Sequence, residues 1–126
     1  MKAYTDIEQS KKLAEILLLE SADMHYSTWT ILGGEFIVSP NQGSTIEDLQ
    51  EDYGNQIIPC WSLAALLNIL PESIYDNTDE YSQLEFSKIS VAYHDINDRI
   101  KVGSIKDNLV DACYELILKL HKLNLL

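Results

Sequence analysis

The segment IIPCWSLAALLNILPES, residues 57–73, encloses a short apolar run between two prolines. Ser62 is a favourable N-cap residue and Pro71 cannot continue a helix, so a short helix is predicted between them. Its leucines have the i, i+3, i+4, i+7 spacing of one helix face: Leu63, Leu66, Leu67 and Leu70. So short a helix is not stable alone and must be held by packing. We expect Trp61 to anchor this helix in the core.

Two longer helices are predicted outside this segment, the first near the N-terminus. Thr5 and Glu8 have the spacing of a capping box, so the helix should begin near Asp6. Its apolar stripe continues at helical spacing from Leu13, and the helix should end near Glu20.

The C-terminal helix has the clearest pattern of all. We expect Gly103 to break the preceding element, Ser104 to be the N-cap and Asp107 to occupy the capping-box position. The apolar stripe that follows comprises Leu109, Ala112, Cys113, Leu116, Ile117, Leu120 and Leu123. Because Cys113 lies inside this stripe, we interpret it as a core residue.

Strand patterns occur between the helices. Residues 27–40 predict a β-hairpin, because runs of β-branched and aromatic residues flank Gly33-Gly34. A second hairpin is predicted over residues 89–102, with its turn at Asn97-Asp98. Just before it the apolar alternation changes parity, which predicts a bulge or tight turn near Ser87-Lys88.

Residues 39–56 admit two interpretations. Ser44 and Glu47 form another capping box, and Gly54 could end a short helix. With few apolar residues to bury, the same stretch could instead be a long acidic loop.

Together these patterns predict an α+β fold in a single domain, residues 1–126. The expected architecture is a small antiparallel sheet of two hairpins, packed against the N- and C-terminal helices, with the short proline-bracketed helix at its edge. The helical stripes need an apolar partner, and one sheet face supplies it.

The net charge of −11 is unevenly distributed. No Lys or Arg lies between Lys12 and Lys88, and residues 13–87 carry 13 acids. Direct binding to nucleic acid is therefore disfavoured, because nothing there would neutralise phosphates. No apolar run approaches the roughly 20 residues that span a bilayer, and the N-terminus lacks a signal-peptide core, so we expect a cytoplasmic protein without a membrane segment.

Candidate catalytic and metal-binding residues are scattered along the chain. A thiol nucleophile at Cys60 would need His25 or His94 and a carboxylate behind it, and no cysteine-hydrolase signature is present. The cysteines and histidines lack zinc-site spacing, and the acidic residues 76–80 lack the Gly and Glu of a calcium loop. With no nucleotide-binding motif either, we expect no catalytic residue, no metal site and no cofactor.

The stretch SADMHY, residues 21–26, places an acid and an imidazole after the first helix. One hypothesis is a ligand-facing corner with Asp23 and His25, near Trp61 in the following segment. The alternative is a loop that ends the helix and packs onto the sheet.

Three stretches carry a resemblance to a known family: ADMHY at 22–26, IPCWSLAALLNILP at 58–71 and NLVDACYELILKLHKLNLL at 108–126. In the same order they resemble a family of small proteins encoded by gut bacteria of the Bacteroides type and by their phages and mobile elements. The resemblance implies a lineage, a fold and a cytoplasmic protein of a mobile element, with no assigned activity. Where the family usually has a small apolar residue, this chain has Cys60, which weakens any chemical role for that thiol.

Three functional hypotheses follow. The first is a non-enzymatic accessory protein of a phage or mobile element that binds another protein, with its acidic surface docking on a basic patch. The second is an acidic mimic of nucleic acid that inhibits a DNA-binding protein. The third is a small enzyme that uses Asp23, His25 or Cys60. Apolar residues at the C-terminus, Leu123, Leu125 and Leu126, also leave room for a homodimer contact.

Overall fold

The structure is a computed structural model that describes residues 2–28, 34–75 and 81–126. Within these ranges the chain forms four α-helices and two antiparallel sheets, of three and four strands, which confirms the α+β class. The helices are α1 (Ile7–Ile16), α2 (Ile46–Tyr53), α3 (Leu63–Ile69) and α4 (Leu109–Lys122). The strands are β1 (Met24–Thr28), β2 (Phe36–Pro40), β3 (Ile57–Cys60), β4 (Ser73–Tyr75), β5 (Tyr81–Phe86), β6 (Ser90–His94) and β7 (Ile100–Ile105).

The chain divides into two compact units. The N-terminal unit is Tyr4–Ala65, and the C-terminal unit is Met1–Ala3 together with Leu66–Leu126. The boundary falls within α3, which lies between Pro59 and Pro71.

In the N-terminal unit the sheet order is β2-β1-β3. Tyr26 lies opposite Ile58 in the β1–β3 register, and both side chains are buried together with Cys60. This face packs with the N-terminal segment of the unit, and α1 contacts β3. His25 and Ser27 alternate with Tyr26 along β1 and therefore lie on the opposite face, towards α2.

Helix α1 begins where a capping box forms, but one residue later than predicted. Asp6 accepts a hydrogen bond from the Gln9 amide at 2.8 Å, and the Gln9 side chain accepts one from the Asp6 amide at 3.1 Å. Thr5 does not cap the helix because it is buried, where its hydroxyl lies 2.7 Å from that of Ser10. Helix α1 also ends earlier than predicted, at Ile16.

Helix α2 forms in place of the alternative acidic loop. Its N-cap is Thr45, whose hydroxyl accepts from the Asp48 amide at 3.1 Å, so the cap again lies one residue after the predicted one. Gly54 ends the helix at φ +63°, a left-handed conformation that favours glycine. Buried Ile46 anchors the helix to the core of the unit.

The first predicted hairpin is present as β1 and β2, with Thr28 opposite Phe36. Of its predicted Gly33-Gly34 turn, Gly34 has φ +78°, while residues 29–33, including Gly33, lie outside the described residues. The predicted acidic turn at 76–80 also lies outside them. Strand β3 was not predicted, and it completes this sheet by pairing with β1.

In the C-terminal unit the sheet order is β4-β5-β6-β7, and α4 packs against β6 and β7. The second predicted hairpin is present as β6 and β7. The predicted parity change is a tight turn, in which the Ser87 amide donates to the Ser90 carbonyl at 2.8 Å. The fully buried side chains of this unit include Val91, Tyr93, Val110, Cys113, Leu116, Ile117 and Leu120.

Two details of the C-terminal half differ from the prediction. Helix α4 begins at Leu109 with Asn108 as N-cap, and Ser104 is a strand residue. Gly103 does not break the strand, because it lies opposite Ala92, where a Cβ atom would come within 2.6 Å of the Ala92 Cβ. The two hairpins also belong to separate sheets and not to the one sheet that was predicted: β3 extends the first hairpin by pairing with β1, and β4 reaches the second through β5.

Candidate functional site

Trp61 and Cys60 are wholly enclosed in the N-terminal unit, each with 0% exposure. The Trp61 indole donates to the Ser21 hydroxyl at 2.9 Å, and its amide donates to the Thr5 hydroxyl at 3.2 Å. The Cys60 thiol lies 3.5 Å from the Thr5 carbonyl, and burial raises the pKa of this thiol. Neither side chain offers a surface to a ligand, and the thiol is kept in its protonated, unreactive form.

Asp23 is engaged at the start of α3. One carboxylate oxygen accepts from the Ser62 amide at 2.9 Å, and the other accepts from the Ser62 hydroxyl. The same hydroxyl accepts from the Ala65 amide at 3.2 Å, as an N-cap does. Asp23 therefore acts as an outer part of the helix cap, which gives the carboxylate a structural role.

His25 is the residue of the predicted corner that lines a pocket. Its Nδ1 lies 2.8 Å from the Asn41 Oδ1, and the Asn41 amide nitrogen donates to the Ala22 carbonyl at 2.9 Å. Because Asn41 presents its oxygen to the ring, the His25 Nδ1 is the donor in this hydrogen bond. Sequence spacing gave no signal for Asn41, since it lies on the far side of the hairpin.

A pocket of about 240 Å³ adjoins His25, between the sheet and α2. Its other lining residues are Ser27, Thr28, Leu49, Tyr53, Gln56 and Ile57. The lining combines apolar side chains with hydroxyl, amide and imidazole groups, which is typical of a small binding recess.

The predicted catalytic group is not assembled in the N-terminal unit. His25 faces the pocket, whereas Cys60 lies in the core on the other face of the same sheet. The Asp23 carboxylate is bound by Ser62. The thiol, the imidazole and the carboxylate therefore do not meet in one cleft.

The most distinctive surface of this unit is the acidic face of α2. It consists of four exposed acids: Glu47, Asp48, Glu51 and Asp52. Tyr53, next to them and 49% exposed, also lines the His25 pocket. This surface was not singled out from the sequence, because the segment could not be assigned to helix or loop.

Part of the charge order on α2 opposes helix stability, although Glu47 and Asp48 lie in the first turn, where the helix dipole favours acids. Glu47 and Glu51, and likewise Asp48 and Asp52, are like charges at i and i+4, a spacing that destabilises a helix. Glu51 and Asp52 also lie in the last turn, where the helix dipole favours cations, and α2 has no basic residue there. Charge patterns that work against the local fold are expected at functional surfaces.

The surrounding unit has few cations to balance this face. Tyr4–Ala65 contains ten acids and two lysines, a net charge of −8, whereas the C-terminal unit contains ten acids and seven basic residues, a net charge of −3. Most of the net negative charge of the chain therefore belongs to the unit that carries α2.

Only one group of the described side chains brings an imidazole and carboxylates within metal-binding distance of one another. It lies in the C-terminal unit and consists of Glu85, His94 and Asp98. Sequence spacing missed it because Glu85 and His94 are brought together only by the pairing of β5 with β6.

Comparisons with known proteins give no relative for this chain: no family model, no curated protein and no solved structure matches it. Among the helices in the described part of the chain, none is long and apolar enough to cross a bilayer.

Proposed function

We propose that this protein is a non-enzymatic interaction module that docks a basic surface of another protein through the acidic face of α2. The observation that carries the proposal is the placement of four exposed acids on one short helix, where they form two like-charge pairs at i and i+4 and two of them lie at the negative end of the helix dipole. A basic partner surface would relieve the repulsion between these acids, and it would accelerate encounter by electrostatic steering.

The His25 pocket supports the proposal because it adjoins the same helix. Interfaces derive most of their affinity from a few side chains that fill recesses, and charged rims add specificity and association rate. Tyr53 and Leu49 line the pocket from α2, so a partner that engages the acidic face could also place a side chain there.

In line with the resemblance of the sequence, we propose a cytoplasmic accessory role in a phage or mobile element. Catalysis by Asp23, His25 or Cys60 is a weaker hypothesis, because the thiol is buried and the carboxylate is engaged.

The test begins with affinity capture from source cells, followed by reconstitution with the purified partner that is identified. We expect the affinity of the purified pair to fall at least about tenfold between roughly 50 mM and 500 mM NaCl, since exposed charges are screened over a few ångströms at high salt. Neutralising three acids of this face by E47Q/E51Q/D52N should weaken binding by a similar factor at low salt.

A matched control neutralises three exposed acids elsewhere in the same unit: Glu8, Glu15 and Glu35. The E8Q/E15Q/E35Q variant has the same net charge as the α2 variant E47Q/E51Q/D52N, and we expect it to change affinity less than about twofold, because exposed charges away from the docking face are largely screened. Equal loss in both variants would show that net charge alone drives association, and the proposal for α2 would then be wrong.

The nucleic-acid mimic is the alternative that the same experiment can reveal. If the captured partner is a DNA-binding protein, the chain should displace DNA from it competitively, and the α2 variant should lose this displacement. A partner that binds DNA and this chain simultaneously would contradict mimicry.

A further inference from the structure

The C-terminal unit contains a cluster of side chains that the proposed function does not use. The His94 Nδ1 lies 3.2 Å from an Asp98 carboxylate oxygen, and its Nε2 lies 3.7 Å from a Glu85 carboxylate oxygen. One donor atom from each residue lies within 4.8 Å of the other two. The imidazole is largely buried, with 21% exposure, whereas both carboxylates are exposed.

The sheet and its hairpin turn hold these groups on one face. Glu85 lies opposite Ala92 in the β5–β6 register, and His94 is two residues further along β6, so the two side chains are diagonal neighbours. The register shifts between Tyr93 and His94, an irregularity that re-aims side chains. Asp98 has φ +60° in the following turn, where its amide donates to the Asp95 carbonyl at 2.9 Å.

The His94 ring has an unusual polar environment. Its Nδ1 atom is buried and makes no hydrogen bond, although a carboxylate oxygen of Asp98 is only 3.2 Å away. A ring nitrogen and a carboxylate oxygen at this separation repel each other through their lone pairs unless a proton or a cation lies between them.

We propose that Glu85, His94 and Asp98 form a binding site for a divalent transition-metal ion of the Zn²⁺ class. One imidazole and two carboxylates suit Zn²⁺, Mn²⁺ or Fe²⁺, whereas Ca²⁺ and Mg²⁺ prefer oxygen ligands alone. A metal ion would use one ring nitrogen, and the 3.2 Å between the His94 Nδ1 and the Asp98 oxygen suits metal–ligand bonds of about 2.0–2.2 Å. The exposed Glu85 carboxylate, now nearest to Nε2, would turn towards the same ion. Three protein ligands leave a further coordination position for water.

The surroundings leave that position accessible. Glu85 and His94 also line a groove of about 580 Å³, which continues past Ala92 and Gly103. A metal held by these three residues could therefore exchange its water with a small ligand.

The test uses the untagged, metal-free full chain. Titration with Zn²⁺, followed by calorimetry and by ¹⁵N NMR of the histidine rings, should show one equivalent bound and a shift confined to the His94 ring. Co²⁺ should give visible absorption bands of a nitrogen- and oxygen-ligated site. We expect H94A and E85Q/D98N each to weaken binding at least about tenfold, since even the loss of residues that only support ligands costs 10–100-fold.

The matched controls are H25A and H121A, which remove the other two histidines and should keep full binding. If H94A fails to fold, E85Q/D98N still tests the site, because both carboxylates are exposed. The proposal is wrong if the His94 ring signals respond to pH but not to Zn²⁺, which would mean that a proton occupies the space. It is equally wrong if H25A or H121A abolishes binding as H94A does.

Discussion

Neutralising the two acids in the last turn of α2 should stabilise the protein. The double variant E51Q/D52N removes negative charge from the end of the helix where the dipole is also negative. It also removes one member of each like-charge pair, Glu47 with Glu51 and Asp48 with Asp52. Glutamine and asparagine have helix propensities close to those of the acids they replace, so charge is the main change.

The magnitude follows from these two contributions. Relief of two i, i+4 repulsions is worth about 0.4–1 kcal/mol, at 0.2–0.5 kcal/mol each. Removing two exposed acids from the negative end adds about 0.6 kcal/mol, using the lower limit of the dipole effect because α2 is short and exposed. We therefore expect the free energy of unfolding to rise by about 1–1.5 kcal/mol at low ionic strength.

A matched control removes the same two like-charge pairs, but its effect through the helix dipole has the opposite sign. The variant E47Q/D48N relieves the same two repulsions, yet it removes acids from the first turn, where the dipole favours them. Its net effect should be near zero. The difference between the two double variants thus isolates the dipole contribution.

Urea unfolding is the appropriate assay, because urea leaves the ionic strength constant. Tryptophan fluorescence follows the N-terminal unit, where both tryptophans lie, and Trp61 is buried there. The gain should shrink strongly at about 1 M NaCl, where the screening length is near 3 Å. The reasoning fails if the free energy of unfolding of E51Q/D52N does not exceed that of the unaltered chain at low salt. It also fails if E47Q/D48N raises the free energy of unfolding as much as E51Q/D52N does.

Three further predictions concern the core and one turn. W61A should lower the free energy of unfolding by about 3–5 kcal/mol in urea, the usual cost of truncating a fully buried tryptophan, whereas W61F should cost less. G103A should lower the free energy of unfolding by about 1–3 kcal/mol by overpacking against Ala92. Adding A92G to G103A should recover part of that loss, and equal stability of G103A and the double variant would contradict the close approach of the two residues. The backbone amide of Arg99, 2.9 Å from the Asp95 carboxylate, lowers the pKa of that carboxyl in the folded state. The stabilisation that the Asp95 carboxylate contributes is therefore present above about pH 4 and is lost as the pH falls through its lowered folded-state pKa. D95N should flatten this part of the curve of unfolding free energy against pH.

The local patterns in the sequence were sufficient for α1, α3 and α4 and for two hairpins, whereas α2 was left open between a helix and a loop. The stripe of α4 repeats over many residues, and the burial of Cys113, Leu116 and Ile117 confirms the predicted core face. Leu123 was wrongly included in that face, because it follows the helix and is 57% exposed. Gly54 ends α2 as its conformational freedom indicates. These features depend on residues within one or two helical turns of each other, which a sequence displays directly.

The exact caps could not be predicted, because adjacent polar residues compete for the same role. Thr5 and Asp6 can both cap α1, and Asp6 does so because the Thr5 hydroxyl is hydrogen-bonded in the core beside Ser10. Ser104 was expected to cap α4, but strand pairing extends β7 past it and leaves Asn108 as the cap. In both places a contact with a distant element decides between local alternatives.

By itself the sequence determined the α+β class, the apolar stripes and the surplus of acids, because composition and periodicity are local properties. Only the tertiary structure decided that the hairpins join separate sheets, that four acids share one exposed helix, and that His94 lies between Glu85 and Asp98. The physical reason is that strand pairing joins residues far apart in the chain, and its free energy is a sum over many cross-strand contacts. No short stretch of sequence contains that sum.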